Sequence, residues 1–103
     1  MWKNTVRKAA LIAVPLVAAC GSDTSGITAL TGDATSGQAL YEANCQSCHG
    51  ATGTVRANTV SEAKNDPANT AAVILDGKEE MPGYSGQLSD QQIADIIAYL
   101  ASK

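Results

Sequence analysis

Thiol and imidazole groups lie close together in the stretch "ANCQSCHGATG", residues 43–53. Cys45 and Cys48 are three positions apart, and His49, the only histidine of the 103-residue chain, follows directly. Side chains at this spacing can contribute to a zinc site, form a redox-active dithiol or attach a haem covalently. The rest of the sequence supports these three kinds of site to different degrees.

Zinc and dithiol chemistry fit the sequence less well than haem attachment. A structural zinc site commonly uses four Cys or His ligands, and no second ligand pair is present. Redox-active C-x-x-C motifs are expected near a βαβ pattern, which is absent from the sequence. C-x-x-C-H is the signature of haem attachment, in which both thiols bond the porphyrin and the histidine ligates iron. We therefore predict one covalent haem c, with its iron, held by Cys45, Cys48 and His49.

Met81 is the candidate for the other axial position on the iron. It is the only methionine apart from Met1 and follows His49 by 32 residues, in "DGKEEMPGYSGQLSD". A methionine can also simply fill a gap in a core. Because a lone thioether on a Gly- and Pro-containing loop suits the iron and pairs with imidazole in known haem proteins, we predict Met81 as the second axial ligand.

Helix signals surround these ligands, and no alternating strand pattern of useful length is present. The clearest helix follows Ser89, which forms a predicted capping box with Gln92. Its apolar residues recur at helical spacing and form one stripe, which consists of Ile93, Ile96, Ile97 and Leu100. The fold class expected from these patterns is all-α.

Two further helices are predicted before the C-terminal one. The first begins at Ser36 and delivers Cys45 at its end. The second is capped by Asp66, has Pro67 in its first turn and ends before Gly77. The two ligand-bearing segments therefore each adjoin a helix end.

The N-terminus has the features of an export signal. Residues 1–8 carry three basic side chains, and the apolar run 9–19 is shorter than the roughly 20 residues that span a bilayer. The run ends "LVAAC", which resembles the lipobox of bacterial lipoproteins, whose cysteine is acylated after cleavage. We therefore predict a signal peptide over residues 1–19 and lipidation at Cys20.

Residues 20–35 are rich in Gly, Ser, Thr and Asp, and we predict the acylated cysteine and a flexible tether there. The remaining domain, residues 36–103, is small and has no Phe or Trp, so a bound cofactor has to complete its core. From Cys20 onward, four basic residues face ten acidic ones. This acidic balance argues against nucleic-acid binding and leaves acyl chains as the membrane anchor.

The region 36–103 resembles a small single-haem class I cytochrome c. The resemblance is carried by "GQALYEANCQSCHG", "ILDGKEEMPGYSGQLSD" and "IADIIAYLAS". It implies a three-to-four-helix domain wrapped around the haem, in which the first and last helices cross, with Gly37 allowing their close approach. It also places Tyr41 and Tyr99 at the family's aromatic positions, as possible haem contacts.

Other haem contacts are less well defined by the sequence. Arg56 is a candidate to hold a haem propionate, because guanidinium suits a carboxylate, and Tyr84 is expected near the distal loop. Similar proteins often orient the haem histidine through the carbonyl of a proline about a dozen residues on. The first proline after His49 is Pro67, so another carbonyl has to orient the imidazole.

The function implied is one-electron transfer by a carrier rather than an enzyme, between redox protein partners in the bacterial cell envelope. The predicted anchor places the haem domain outside the cytoplasm, in the periplasm. Two alternatives remain. The protein could bind a small ligand, or be weakly peroxidatic, through a labile Met81. It could also be the cytochrome subunit of a larger oxidoreductase.

Overall fold

The computed structural model of the chain describes residues 23–103. The predicted signal peptide over 1–19 and the predicted lipidation site Cys20 lie outside these residues. The described part contains six helices: α1 (Ser25–Thr28), α2 (Ala34–Asn44), α3 (Gln46–His49), α4 (Thr59–Asn65), α5 (Pro67–Asp76) and α6 (Asp90–Ala101). Only two isolated β-bridges occur among the described residues, so the all-α prediction is confirmed.

Helices α2 and α6 cross and form the most extensive helix contact of the described region. Gly37 lies buried at the crossing, where a Cβ atom would overlap the carbonyl group of Asp95. The close helix approach expected at Gly37 is therefore confirmed. Helix α2 begins two residues before the predicted start, because the side chain of Asp33 accepts the backbone N–H of Thr35 and caps the helix there.

Helices α5 and α6 begin where the sequence predicts. Ser89 accepts the N–H of Gln92 at 3.1 Å, and the Gln92 side chain accepts the N–H of Ser89 at 2.9 Å, which completes the capping box. Asp66 accepts the N–H of Asn69 at the start of α5, as predicted for its cap. Local hydrogen bonds therefore fix both helix starts.

The core is formed mainly by the predicted stripe of α6. All four stripe residues are buried, and Tyr41 of α2 packs into the same cluster. Helix α4, which was not predicted from the sequence, places Ala63 against this core. Its segment has little apolar periodicity, and its start depends on Asn58, whose side chain accepts the N–H of Ser61 at 3.0 Å.

The segment before α2 differs from the flexible tether predicted for it. Within that range, α1 packs against α5 and α6, and Ile27 is only 2% exposed. The N–H of Asp33 also donates to Asp95 Oδ1 of α6 at 2.8 Å. Ile27 and Leu30 are too few to form a sustained helical pattern in the sequence, yet Ile27 is buried by contacts with distant helices. None of the helices within residues 23–103 has the length and apolarity to cross a membrane.

Candidate haem site

A cleft with a volume of about 1050 Å³ opens between helices α2 to α6 and the loop after α5. Seven of the eight residues predicted to ligate or contact the haem line this cleft: Tyr41, Cys45, Cys48, His49, Arg56, Met81 and Tyr84. The eighth, Tyr99, does not line it. The structure therefore brings together the two segments that the sequence predicts as the halves of one site.

The C-x-x-C-H motif forms a compact turn at the end of α2. Cys45 caps α2 and immediately precedes the one-turn helix α3, in which the N–H groups of Cys48 and His49 donate to the Cys45 carbonyl at 3.2 and 3.0 Å. Both cysteines are free thiols. Burial raises the pKa of the Cys45 thiol to about 11, whereas Cys48 is exposed. The turn therefore presents both thiols and the imidazole to the same cleft.

The carbonyl that orients His49 belongs to Val55. Nδ1 of His49 lies 3.2 Å from the Val55 carbonyl oxygen, and the N–H of Val55 donates back to the His49 carbonyl at 3.1 Å. Because a carbonyl only accepts hydrogen bonds, this contact places the proton on Nδ1 and leaves Nε2 free to act as a ligand. The role that a proline carbonyl has in similar proteins is therefore taken by a residue six positions after the histidine.

Gly50 makes this return of the chain possible. Its φ of +79° lies in the left-handed region, and a Cβ atom there would come within 2.8 Å of Val55 Cγ2. The Tyr41 hydroxyl donates to the Gly50 carbonyl and ties the turn to α2. This arrangement was not predicted from the sequence, although the glycine directly after His49 was its local signal.

Met81 lies on a tight turn held against the end of α5. Its N–H donates to the Lys78 carbonyl at 2.9 Å, and its carbonyl accepts the Lys78 N–H at 3.1 Å. Just beyond, the N–H of Tyr84 donates to the Ile74 carbonyl of α5 at 2.8 Å. The backbone on both sides of the thioether is therefore fixed by hydrogen bonds.

Tyr84 connects the Met81 loop with the segment that carries the thiols. Its hydroxyl donates to the carbonyl of Asn44, the residue before Cys45, at 3.0 Å. Burial, with smaller effects from the two cysteines, raises the pKa of Tyr84, so its hydroxyl stays protonated as a donor. This bond spans 40 residues of sequence, and nothing local to either residue predicts it.

The surroundings of Arg56 and Tyr99 differ from those expected of residues that only contact the haem. Nη1 of Arg56 lies 3.7 Å from Oε1 of Glu80, and both side chains are largely exposed, at 61% and 91%. Arg56 thus reaches the Met81 loop across the edge of the cleft, and its contact with a propionate stays a prediction. Tyr99 packs against the ring of Tyr41 at 5.5 Å between centroids and lies outside the cleft lining.

The donor set of the cleft suits a covalently bound porphyrin. It offers two thiols, an imidazole with Nε2 free and a thioether, beside the apolar side chains of Val73, Ile74, Ile96 and Leu100. Within residues 23–103, no three His, Cys, Asp or Glu side chains are grouped so as to hold a metal ion. Haem brings its own equatorial ligands to the iron, so the chain has to offer only axial ones.

Comparisons with known proteins agree with this geometry. The family model described as cytochrome c oxidase, cbb3-type, subunit III, matches residues 32–100. Cytochrome c6 of Synechocystis sp. is 34% identical over 98 aligned positions, and the match covers 86% of this chain and 82% of that protein. The dihydro-heme d1 dehydrogenase of Pseudomonas aeruginosa is 40% identical over 83 aligned positions, and the match covers 73% of this chain but 16% of that protein.

A solved structure gives the same result for the fold. The crystal structure of cytochrome c6 from the diatom Phaeodactylum tricornutum superposes with a TM-score of 0.57 at 28% identity, and the match covers 69% of this chain and 93% of that one. The site geometry, the family match and these relatives lead to one conclusion. The chain belongs to the small monohaem class I c-type cytochromes, carries one covalent haem c and is an electron carrier rather than an enzyme.

Proposed function

We propose that the protein is a membrane-anchored one-electron carrier in which His49 and Met81 are the axial ligands. The observation that carries the ligation is the presence of both side chains in one cleft with the two attachment thiols. The haem iron supplies the redox chemistry when bound. Imidazole with thioether ligation gives a higher reduction potential than many other axial pairs, which suits an electron carrier.

The protein's own contribution is to hold both ligands still. The hydrogen bond to Val55 fixes the tautomer and orientation of His49. Backbone hydrogen bonds to Lys78 hold Met81, and the Tyr84 hydroxyl joins its loop to the end of α2. Because neither ligand segment has to rearrange when the charge on the iron changes, electron transfer needs little reorganisation of the protein.

A small-ligand or weakly peroxidatic function would need Met81 to leave the iron. His49 is the only histidine of the chain, so no second histidine can serve as a distal acid or base. The arginine that lines the cleft, Arg56, faces Glu80 at the exposed edge. The site therefore supports electron transfer better than chemistry at an open iron.

The Met81→Ala variant tests the ligation. We expect it to bind carbon monoxide readily in the ferrous state and to have a lower reduction potential than the wild type, which should bind carbon monoxide poorly. Val73→Ala, which also removes an apolar side chain from the cleft lining, is the matched control. Ready carbon monoxide binding by the wild type, with an unchanged spectrum and potential in Met81→Ala, would show that Met81 is not the ligand.

The membrane anchor is the second part of the proposal. The order of basic residues, apolar run, small residues and Cys20 supports acylation of that cysteine and a periplasmic location for the haem domain. We expect the wild type to fractionate with membranes and Cys20→Ser to be released or misprocessed. Unchanged membrane fractionation of Cys20→Ser would refute the anchor while leaving the ligation intact.

The chain could also serve as a fixed subunit of a larger redox complex. One observation favours this second candidate: the matching region is only 16% of the P. aeruginosa dehydrogenase, so a similar domain is built into a larger protein there. Mild detergent extraction followed by native size analysis of the haem signal tests it. Migration at the size of the monomer in detergent would favour the independent carrier.

A further inference from the structure

The N-terminal strap, residues 24–33, is fastened to the domain at two places. The first is α1, where Ile27 is 2% exposed and packs between α5 and α6. It borders an apolar groove of about 200 Å³ whose walls include Pro67 of α5 and Ile97 of α6. Burying the Ile27 side chain removes apolar surface from water and so favours the docked state.

The second attachment is a hydrogen-bond network centred on Asp95, a carboxylate that is only 7% exposed. Its Oδ1 accepts the N–H of Asp33 at 2.8 Å and the Gln91 amide at 2.9 Å. The same amide of Gln91 donates to the Thr31 carbonyl at 3.0 Å. Because a buried carboxylate is costly without hydrogen bonds, the docked strap and Asp95 stabilise each other.

Close backbone contact joins these two attachments. A Cβ atom at Gly32 would overlap the carbonyl of Ala94 in α6, so only glycine lets the strap lie this close. Residues 31, 32 and 33 are thus each in contact with α6. The strap therefore stays in contact with α6 up to the start of α2.

The strap lies on a different face of α6 from the haem cleft. Ile96 and Leu100 line the cleft, whereas Ala94, Ile97 and Ala98 line the groove beside the strap. At 100° per residue, Ala94 and Ala98 lie about 160° around the helix axis from Ile96, and Ile97 lies about 100° from it. The groove and the cleft share no lining residue, so docking of the strap leaves the cleft open.

Docking of the strap shortens the chain that is free to move beside a membrane. Thr24, its first residue, follows Cys20 by four positions, which span at most about 14 Å. A free tether over the whole of residues 20–35 would reach about 50 Å or more. Leu30 of the strap is 39% exposed and adds apolar surface on this side of the domain.

From these contacts we propose that the strap sets the orientation of the protein at the bilayer. Docked to α5 and α6, it holds the domain within about 14 Å of its lipid anchor, and the anchored side is the face of α6 turned away from the cleft. The haem then serves a redox protein that itself lies at the membrane surface, within this short reach. This inference rests on the acylation of Cys20 proposed above.

The test uses the haem-loaded, acylated protein in phosphatidylcholine vesicles that contain a headgroup-labelled fluorescent lipid, which the haem quenches by energy transfer. Two variants lengthen the attachment: Ile27→Asp, which undocks α1, and an insertion of twelve Gly and Ser residues between Ser22 and Asp23. Sixteen coil residues between Cys20 and Thr24 instead of four raise the mean reach from roughly 10–12 Å to roughly 20–24 Å. We expect both variants to quench less than the wild type.

Ala29→Asp is the matched control, because it adds the same charge to an exposed neighbouring position. It should quench like the wild type. Acylated wild type that quenches no more strongly than the insertion variant would overturn the inference. If mass spectrometry finds Cys20 without acyl chains, the proposed anchor itself fails, and the orientation with it.

Hydrogen exchange on the Cys20→Ser protein, released from the membrane, tests the docking of the strap without vesicles. This test does not depend on whether Ile27→Asp binds haem. The Asp33 amide should be protected in the Cys20→Ser protein, and Asp95→Ala should increase its exchange rate. An unprotected Asp33 amide would overturn the docked strap, whatever the state of Cys20.

Discussion

Nδ1 of His49 and the carbonyl oxygen of Val55 are 3.2 Å apart, so the imidazole proposed as an axial ligand is oriented by a residue only six positions away. The backbone returns a hydrogen bond between the same two residues at 3.1 Å. Donation from Nδ1 would make the imidazole a stronger electron donor toward a bound iron, which would favour the ferric state. The loop that begins at Gly50 is therefore part of the redox site.

Gly50→Ala should disturb this hydrogen bond and raise the reduction potential. The new Cβ would press on Val55 Cγ2, and the left-handed backbone adds a strain of roughly 1–2 kcal/mol. Gly86→Ala is the matched control, because Gly86 has a similar φ of +83° but open space where its Cβ would lie, with no contact within 4 Å beyond its chain neighbours. Potentiometric titration of both variants checks the expectation, and equal potentials would contradict it.

Tyr84→Phe should make Met81 easier to displace. It removes the hydrogen bond to the Asn44 carbonyl, which is worth about 0.5–1.5 kcal/mol. An external ligand that binds the iron only when the Met81 loop opens should therefore gain about 2- to 13-fold in affinity. Cyanide titration of the ferric protein measures this gain. The control is Tyr99→Phe, which removes a hydroxyl that accepts from the exposed Lys103 at 3.2 Å, outside the cleft. It should bind cyanide like the wild type.

Gly37→Ala should destabilise the whole domain, because the added methyl group collides with the Asp95 backbone where α2 crosses α6. Overpacking at such a contact costs about 1–3 kcal/mol or more. Denaturant unfolding of the haem-loaded protein measures the loss. Gly26→Ala is the control, since its Cβ would meet only the end of the Asp90 side chain, at 3.3 Å. A similar stability for both variants would argue against tight packing at the crossing.

Asp33→Ala should lower stability at neutral pH more than at acid pH. The N–H of Thr35, and then the Ser36 hydroxyl, lower the pKa of Asp33 below its ordinary value of 3.8. The carboxylate therefore stabilises the folded state above about pH 3.8, and this contribution is lost as the pH falls through the lowered folded-state pKa.

Asp33→Asn keeps an oxygen that can cap α2 but does not titrate. Its stability difference from the wild type should shrink as the pH falls, whereas its difference from Asp33→Ala should stay nearly constant. Unfolding curves of the three proteins between about pH 3 and pH 7 provide the comparison. A pH-independent difference between the wild type and Asp33→Asn would show that the charge at this cap has no effect on stability.

The sequence alone determined the features that depend on neighbours in the chain. The order C-x-x-C-H predicts haem attachment, and the predicted starts of α5 and α6 are confirmed because Asp66 and Ser89 bond to N–H groups three residues away. The α6 stripe is likewise a local pattern, since helical geometry places residues at this spacing on one face. Local hydrogen bonds and helical periodicity can be predicted from the sequence because both depend only on residues a few positions apart.

Only the tertiary structure decided the contacts between distant segments. Tyr84 bonds to Asn44 across 40 residues and Asp33 to Asp95 across 62, so neither pair leaves a local pattern. The carbonyl that orients His49 is near in sequence, but its position depends on how the loop after Gly50 packs. The chemistry of the site could therefore be predicted from the order of residues. The hydrogen bonds that hold the site and the path of the N-terminal strap could not, because they follow from packing between segments that only the folded chain brings together.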